Sequence, residues 1–383
     1  MDRDRLSALA AELVAIPSVN PLDGPVGDGR SEAPAAAYVE SRLREAGLAV
    51  ELREAVPGRP SVIARIPGVS ETAVWFDAHL DTVSGEGMAF DPFQPRIEGN
   101  SLFGRGAADD KGSVAAMMAA LMEVAASGEK PPATIIFTAT ADEEYRMSGM
   151  LSLLEAGITA GAGVVGEPTG LEIIIAHKGV ARFKIGTTGK AVHSSRPDDG
   201  INAIYRMGKV VSAIEAYAKG GVGRETDPLL GKATLSVGRI RGGEFVNVVP
   251  DSCEIWLDRR LLPGEEARRA VGDVRDYLTS ALQEDVGLKV SPPDLTVPAL
   301  SIDSDSPIVE AAAAAVREVT GKAPFNGMQG ATHAGQMAER GIPAIVFGPG
   351  RMGQAHTATE ELDLDQLEQA AAVYERLMRA GLV

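Results

Sequence analysis

One cysteine in 383 residues, Cys253, excludes an intrachain disulfide and fits a reducing compartment. It sits in a strand-like run and reads as a small core residue rather than a nucleophile. Histidine is also scarce, at five, so each imidazole can be weighed separately. Basic residues are outnumbered, 37 against 53 acidic, for a net charge of −16. That balance argues against nucleic acid and anionic membrane as partners, and solubility is its ordinary explanation. No apolar run approaches the roughly 18 residues of a membrane span. The first residues, Met1-Asp-Arg-Asp-Arg5, mix acids with bases, and Leu6, Leu9, Leu13 and Ile16 then recur at helical spacing up to Pro17. The expectation is a soluble, cytoplasmic protein with no secretory signal.

With 45% hydrophobic residues the chain has material for more than one core, and its length suggests two domains. After the first helix, Ser31 can cap a second that runs to Gly47. Strands follow over 49–53, 61–66 and 73–78, then a small-residue helix over 111–126 and a β-branched strand over 133–140. This α/β alternation predicts a mostly parallel sheet with helices on both faces. From about Gly179 the pattern changes. Strands over 181–188, 233–240 and 252–260 look antiparallel, with helices over 201–219 and 265–284 between and after them. Pro292-Pro293 marks a linker, after which α/β character resumes with Ser306-Pro307, a strand over 344–347 and a closing helix through Leu367, Tyr374 and Leu377. The expected organisation is an α/β domain over 1–178 and 292–383, interrupted by a smaller α+β domain over 179–291. No internal repeat is visible.

Several strand ends carry metal-type donors. Val74-Trp-Phe-Asp-Ala-His-Leu-Asp81 puts His79 and Asp81 on one side of a strand. His79 is a candidate ligand, and Asp81 can accept its other ring proton. Gly104-Arg-Gly-Ala-Ala-Asp-Asp-Lys-Gly112 offers Asp109 or Asp110 at the start of a helix, where a capping role is the ordinary reading. Thr138-Ala-Thr-Ala-Asp-Glu-Glu144 delivers two adjacent carboxylates whose side chains must diverge. One can hold a metal while the other takes and relays a proton. Glu167 in Gly166-Glu-Pro-Thr169 and His356 in Gln354-Ala-His-Thr357 each follow an apolar strand. Five imidazole and carboxylate donors at strand ends of one sheet suit zinc or a similar ion.

In this order the motifs resemble the family of acetylornithine deacetylase and succinyl-diaminopimelate desuccinylase, which also contains aminoacylase-1 and glutamate carboxypeptidases. The resemblance covers nearly the whole chain and implies a zinc-peptidase-like domain with an inserted ferredoxin-like dimerisation or lid domain. It implies two zinc ions, with cobalt or manganese as possible substitutes. His79 and Glu167 would hold one and Glu144 and His356 the other, with Asp109 bridging. Glu143 would be the general base and Asp81 would orient His79. A cis peptide is implied at Asp109–Asp110.

In the inserted domain, Gly189-Lys-Ala-Val-His-Ser-Ser-Arg-Pro197 resembles the segment whose histidine, here His193, reaches the other subunit's site and stabilises the oxyanion. Asn247 would contact substrate, and Arg260 would grip its carboxylate. Arg259 is expected on the other strand face in a surface salt bridge. Thr332 is carried over as a substrate contact, beside His333, where many relatives have an acid. His177 is read as structural. The implied activity is hydrolysis of the amide of a small N-acyl amino acid, acetylornithine deacetylase-like, by a homodimer. The alternatives are a succinyl-diaminopimelate desuccinylase, a dipeptidase or carboxypeptidase with the same machinery, or a non-catalytic binding protein on this fold.

Overall fold

In a computed structural model of the chain, the residues described are 2–27, 29–223, 226–282 and 285–380. They form two compact units: Met1–Ile175 with Ile302–Asn326 and Thr332–Val383, and Ala176–Ser301 with Gly327–Ala331.

The first unit is built on a sheet whose four central strands are parallel. Ser70–His79 lies between Ala133–Thr140 and Ala162–Val165, and Ala344–Val346 pairs with Ala162–Val165 on the far side. These strands are apolar runs buried on both faces, as parallel strands under helices must be. The outer strands depart from the parallel pattern. Arg59–Ile66 and Val50–Val56 continue the sheet antiparallel on one flank, and Ile173–His177 does so on the other.

Alternation along Ser70–His79 shows how both faces are covered. Phe76 meets Tyr374 of the closing helix Leu364–Ala380 edge-on, with ring centroids 6.3 Å apart. Trp75 and Asp77 point the other way, to Thr138 and to His333 at the head of the helix His333–Glu339. The helix Lys111–Ser127, buried nearly all round, packs against Leu364–Ala380 and Arg3–Val14. Tyr374 donates its hydroxyl proton to Phe347 O at 2.6 Å in the core. Tyr374→Phe should leave that carbonyl unsatisfied and lower the unfolding free energy by about 1 kcal/mol, readable by urea denaturation.

The second unit has Gly179–Thr188, Thr234–Gly242 and Ser252–Leu261 as antiparallel neighbours. Its core lies under the helices Ala203–Gly220 and Ala267–Ala281, with Phe183, Ile255, Leu257, Val210, Val274 and Leu278 at its centre. Of the helix expected over 265–284, residues 283 and 284 lie outside the described residues. Cys253 is buried in this core. Arg259 corrects an expectation: its side chain is buried, not at the surface, and pairs with Glu265 at 2.6 Å. The odd-numbered residues of that strand face the helices, so Arg259 must bring a charge partner with it. Among the described residues no helix is long and apolar enough to cross a membrane.

Candidate metal centre

All four parallel strands of the first unit deliver a donor just beyond their carboxyl ends. His79 closes Ser70–His79, Glu143 and Glu144 follow Ala133–Thr140, Glu167 follows Ala162–Val165, and the loop after Ala344–Val346 carries His356. Open α/β sheets place their sites at this edge. Asp109 enters from the turn before Lys111–Ser127. The peptide between it and Asp110 is cis. Glycine lets the last loop close in. A Cβ at Gly348 would lie 2.5 Å from Glu167 O, so only a residue without one allows the two loops this contact.

These donors form two sets. Ligand atoms of His79, Asp109 and Glu167 all lie within 4.8 Å of one another, and so do those of Asp109, Glu144 and His356. Asp109 belongs to both. Its Oδ1 is 2.9 Å from His79 Nε2 and its Oδ2 is 3.3 Å from His356 Nε2, which is also 3.1 Å from Glu144 Oε1. One carboxylate thus turns an oxygen to each set.

The sequence reading of Asp81 needs refinement. His79 Nδ1 donates to the main-chain carbonyl of Asp81 at 2.9 Å, while the carboxylate stands off at 3.6 Å. That carbonyl fixes the tautomer and leaves Nε2 for a ligand. The Asp81 carboxylate instead accepts the backbone N–H groups of Glu143 and Glu144, each at 3.0 Å, and Asn20 Nδ2 at 2.7 Å. It therefore clamps the turn that carries both glutamates.

Electrostatically the cluster is short of positive charge. Burial raises the Glu143, Glu144 and Glu167 carboxyls, and neighbouring carboxylates raise them further. Neither Glu143 nor Glu167 forms an ion pair among the described residues. Burial opposes ionisation of Asp81 and Asp109, but it is outweighed at Asp81 by the nearby His79 imidazole with the Asn20 and Glu143 N–H donors, and at Asp109 by hydrogen bonds with His356 and His79. Asp81 falls to about 2, and Asp109 falls below the usual carboxylate range. His356 is pushed up to about 10 by hydrogen bonds to Asp109 and Glu144. Asp110 is driven up to about 8 by burial, and its Oδ1 has no hydrogen-bond partner. Clustered carboxylates and imidazoles with unmet negative charge are what a pair of divalent cations neutralises, and the donor types suit zinc. The residues fit the ions.

The other residues singled out in the sequence are distributed differently. His193 and Asn247 lie together in the second unit, where His193 bridges to Val248 and Ser194 N–H donates to Asn247 O. Arg260 stands at the opposite end of Ser252–Leu261, its Nε 2.7 Å from Asp258. Thr332 is buried in the first unit, where its hydroxyl caps the helix His333–Glu339. His333 is buried too, its Nδ1 2.7 Å from Asp77 Oδ2. His177 is buried, with Nδ1 on Lys178 O, and burial lowers it to about 4, as a structural histidine should be.

Sequence reasoning missed Asn20, which no motif marks, and Glu360. Oε1 of Glu360 accepts the N–H groups of Ala108 and Asp109 at 3.0 and 3.1 Å. It also missed the buried Arg59, which joins Glu32 to Asp142 beneath the glutamate turn. The signal for Glu360 was indirect: Arg105, between two glycines of a turn, called for a buried acid.

A largely parallel α/β sheet with two adjoining donor sets at its carboxyl edge is an arrangement able to hold metal for hydrolysis. The chain belongs to Peptidase family M20/M25/M40, whose model matches residues 75–380. It is 31% identical to an acetylornithine deacetylase of Myxococcus xanthus, over 97% of each chain. It is 27% identical to an N-formyl-4-amino-5-aminomethyl-2-methylpyrimidine deformylase of Halalkalibacterium halodurans, over 96% of this chain and 92% of the other. The fold matches the M20 family metallo-carboxypeptidase Sso-CP2 of Sulfolobus solfataricus with a TM-score of 0.78 at 18% identity, over the full length of both. The chain is a metal-dependent amidohydrolase.

Proposed function

We propose that this hydrolase removes a small acyl group from an N-acyl amino acid, as an acetylornithine deacetylase does, with two zinc ions. His79, Asp109 and Glu167 would hold one ion, and Asp109, Glu144 and His356 the other. Bound there, the ions would polarise the amide carbonyl and bring the pKa of a water molecule down toward about 7. Glu143 takes the proton of the attacking water and passes it to the departing nitrogen. One observation carries this assignment. Glu143 belongs to neither ligand set, yet Asp81 fixes its backbone together with that of the ligand Glu144.

The second unit would act as lid and dimerisation domain. His193 would steady the charge growing on the carbonyl oxygen, with Asn247 against the substrate, and Arg260 would hold the substrate carboxylate by a two-pronged contact. A strand rises about 3.4 Å per residue, so Arg260 lies roughly 27 Å from Ser252, near which His193 and Asn247 sit. A single site using all three would draw them from two copies of the chain, which favours a homodimer with His193 acting in the partner's site. Exposed Tyr205, Ile240, Phe245 and Val246 in the second unit supply apolar surface for that contact. Thr332, held in its cap, would offer the substrate little beyond its backbone. The single cysteine agrees with a cytoplasmic setting.

The small-acyl reading rests on the deacetylase and deformylase relatives. Its test is a hydrolysis screen of N-acetyl, N-formyl and N-succinyl amino acids and of dipeptides, with zinc content measured on the same sample. The expected result is that acetyl or formyl substrates exceed the rest at least tenfold in kcat/KM. Faster cleavage of succinyl substrates or dipeptides would overturn this reading in favour of a desuccinylase or a peptidase.

A further inference from the structure

His356 poses a problem of support. Its side chain is half exposed, its φ is +61°, and it stands on a loop, so neither burial nor regular structure fixes it. A ligand held loosely would lose metal. The group that grips this loop from below is Arg105, which lies in the Gly104-Arg-Gly106 turn and is almost fully buried. Its guanidinium works in three directions. Nη2 donates to Thr357 O at 3.2 Å, next to His356, and Nε donates to Ser84 O at 3.2 Å. Nη1 donates to Glu360 Oε2 at 2.6 Å. Oε1 of the same Glu360 carboxylate takes the N–H groups of Ala108 and Asp109.

We infer that Arg105 and Glu360 are positioning residues that set two ligands of one cation set, Asp109 and His356, against each other. The pair reaches His356 through the carbonyl beside it and Asp109 through its backbone N–H. Among the described residues neither Arg105 nor Glu360 forms a hydrogen bond or ion pair with the side chain of His79, Glu167 or Glu144, and His356 belongs only to the set with Glu144. Asp109 is shared, so the effect falls mainly on the ion held by Asp109, Glu144 and His356 and to a smaller degree on the other. The planar fork is essential, since the ammonium of lysine cannot serve three diverging acceptors in one plane.

This inference rests on the two-ion reading above, and the experiment separates the two. Metal-free protein is titrated with zinc calorimetrically, for the native chain, Arg105→Lys, and the pair Arg105→Met with Glu360→Gln. The pair removes both buried charges together and so leaves neither unpaired. Glu144→Gln serves as reference for loss of the same ion. The native chain should take two ions. Arg105→Lys and the pair should bind one ion about 10- to 100-fold more weakly and the other, through the shared Asp109, by a clearly smaller factor. Hydrogen exchange over 354–360 should quicken in metal-free protein, with exchange in the central strands unchanged. Two ions at native affinity in a folded variant would overturn the inference, and so would equal weakening of both. If the native chain itself fails to bind two ions, the two-ion reading fails, whatever the variants do.

Discussion

Glu143→Gln should cut kcat by about 10²- to 10⁴-fold while both ions remain bound. The amide keeps the size of the side chain and the turn held by Asp81 but cannot accept a proton. Backbone N–H groups, not the Glu143 side chain, meet the Asp81 carboxylate, so the substitution leaves the clamp intact. KM should change little, because the lost interaction belongs to proton transfer rather than to substrate binding. Steady-state kinetics on the best substrate of the screen, with zinc content measured in parallel, gives the answer. Activity above about one hundredth of the native value would remove Glu143 as the base. Loss of an ion would instead make it a ligand.

Asp109→Asn should be more severe in its effect on binding. Asp109 is the one carboxylate common to both sets, so the change takes negative charge from both and an oxygen donor from one of them. An amide offers a single weak oxygen and no negative charge. Both ions should fall in affinity by at least about 100-fold, beyond what loss of a merely supporting residue does, and turnover should disappear at micromolar zinc. Glu167→Gln is the informative companion, because it should weaken only the ion shared with His79. Retention of both ions by Asp109→Asn would show that the two sets do not meet at this carboxylate.

Side chains announced by strand-end motifs were legible in the sequence, and those that work through the backbone were not. His79, Asp109, Glu144, Glu167 and His356 follow apolar runs whose periodicity marks the sheet, and the structure gathers them at one edge. Asp81 was placed correctly beside His79, but its carboxylate serves two amides of another segment, a contact that sequence spacing cannot show. Asn20, Glu32 and Glu360 act across 61, 110 and 252 residues of separation, with no local pattern to mark them. His333 looked like a departure at a substrate contact, yet it is paired with Asp77 inside the sheet, on the side away from Phe76. Arg259 failed for the opposite reason. Strand alternation correctly turned it away from Arg260, but that side is the one the helices cover. Alternation assigns residues to two sides without saying which is wet.

The position of Ala344–Val346 has a consequence for biosynthesis. This strand lies inside the sheet, between Ala162–Val165 and Ile173–His177, yet it is translated after all of its neighbours. While the ribosome is still working on the intervening unit, Ala162–Val165 has an unsatisfied edge, and the loop bearing His356 does not exist. The emerging polypeptide must keep that gap from pairing with a wrong strand, and a prematurely terminated product ending before it would be both sticky and inert. A chain cut short before Ala344 would lose this strand and His356 together, leaving the edge of Ala162–Val165 open and one donor set incomplete.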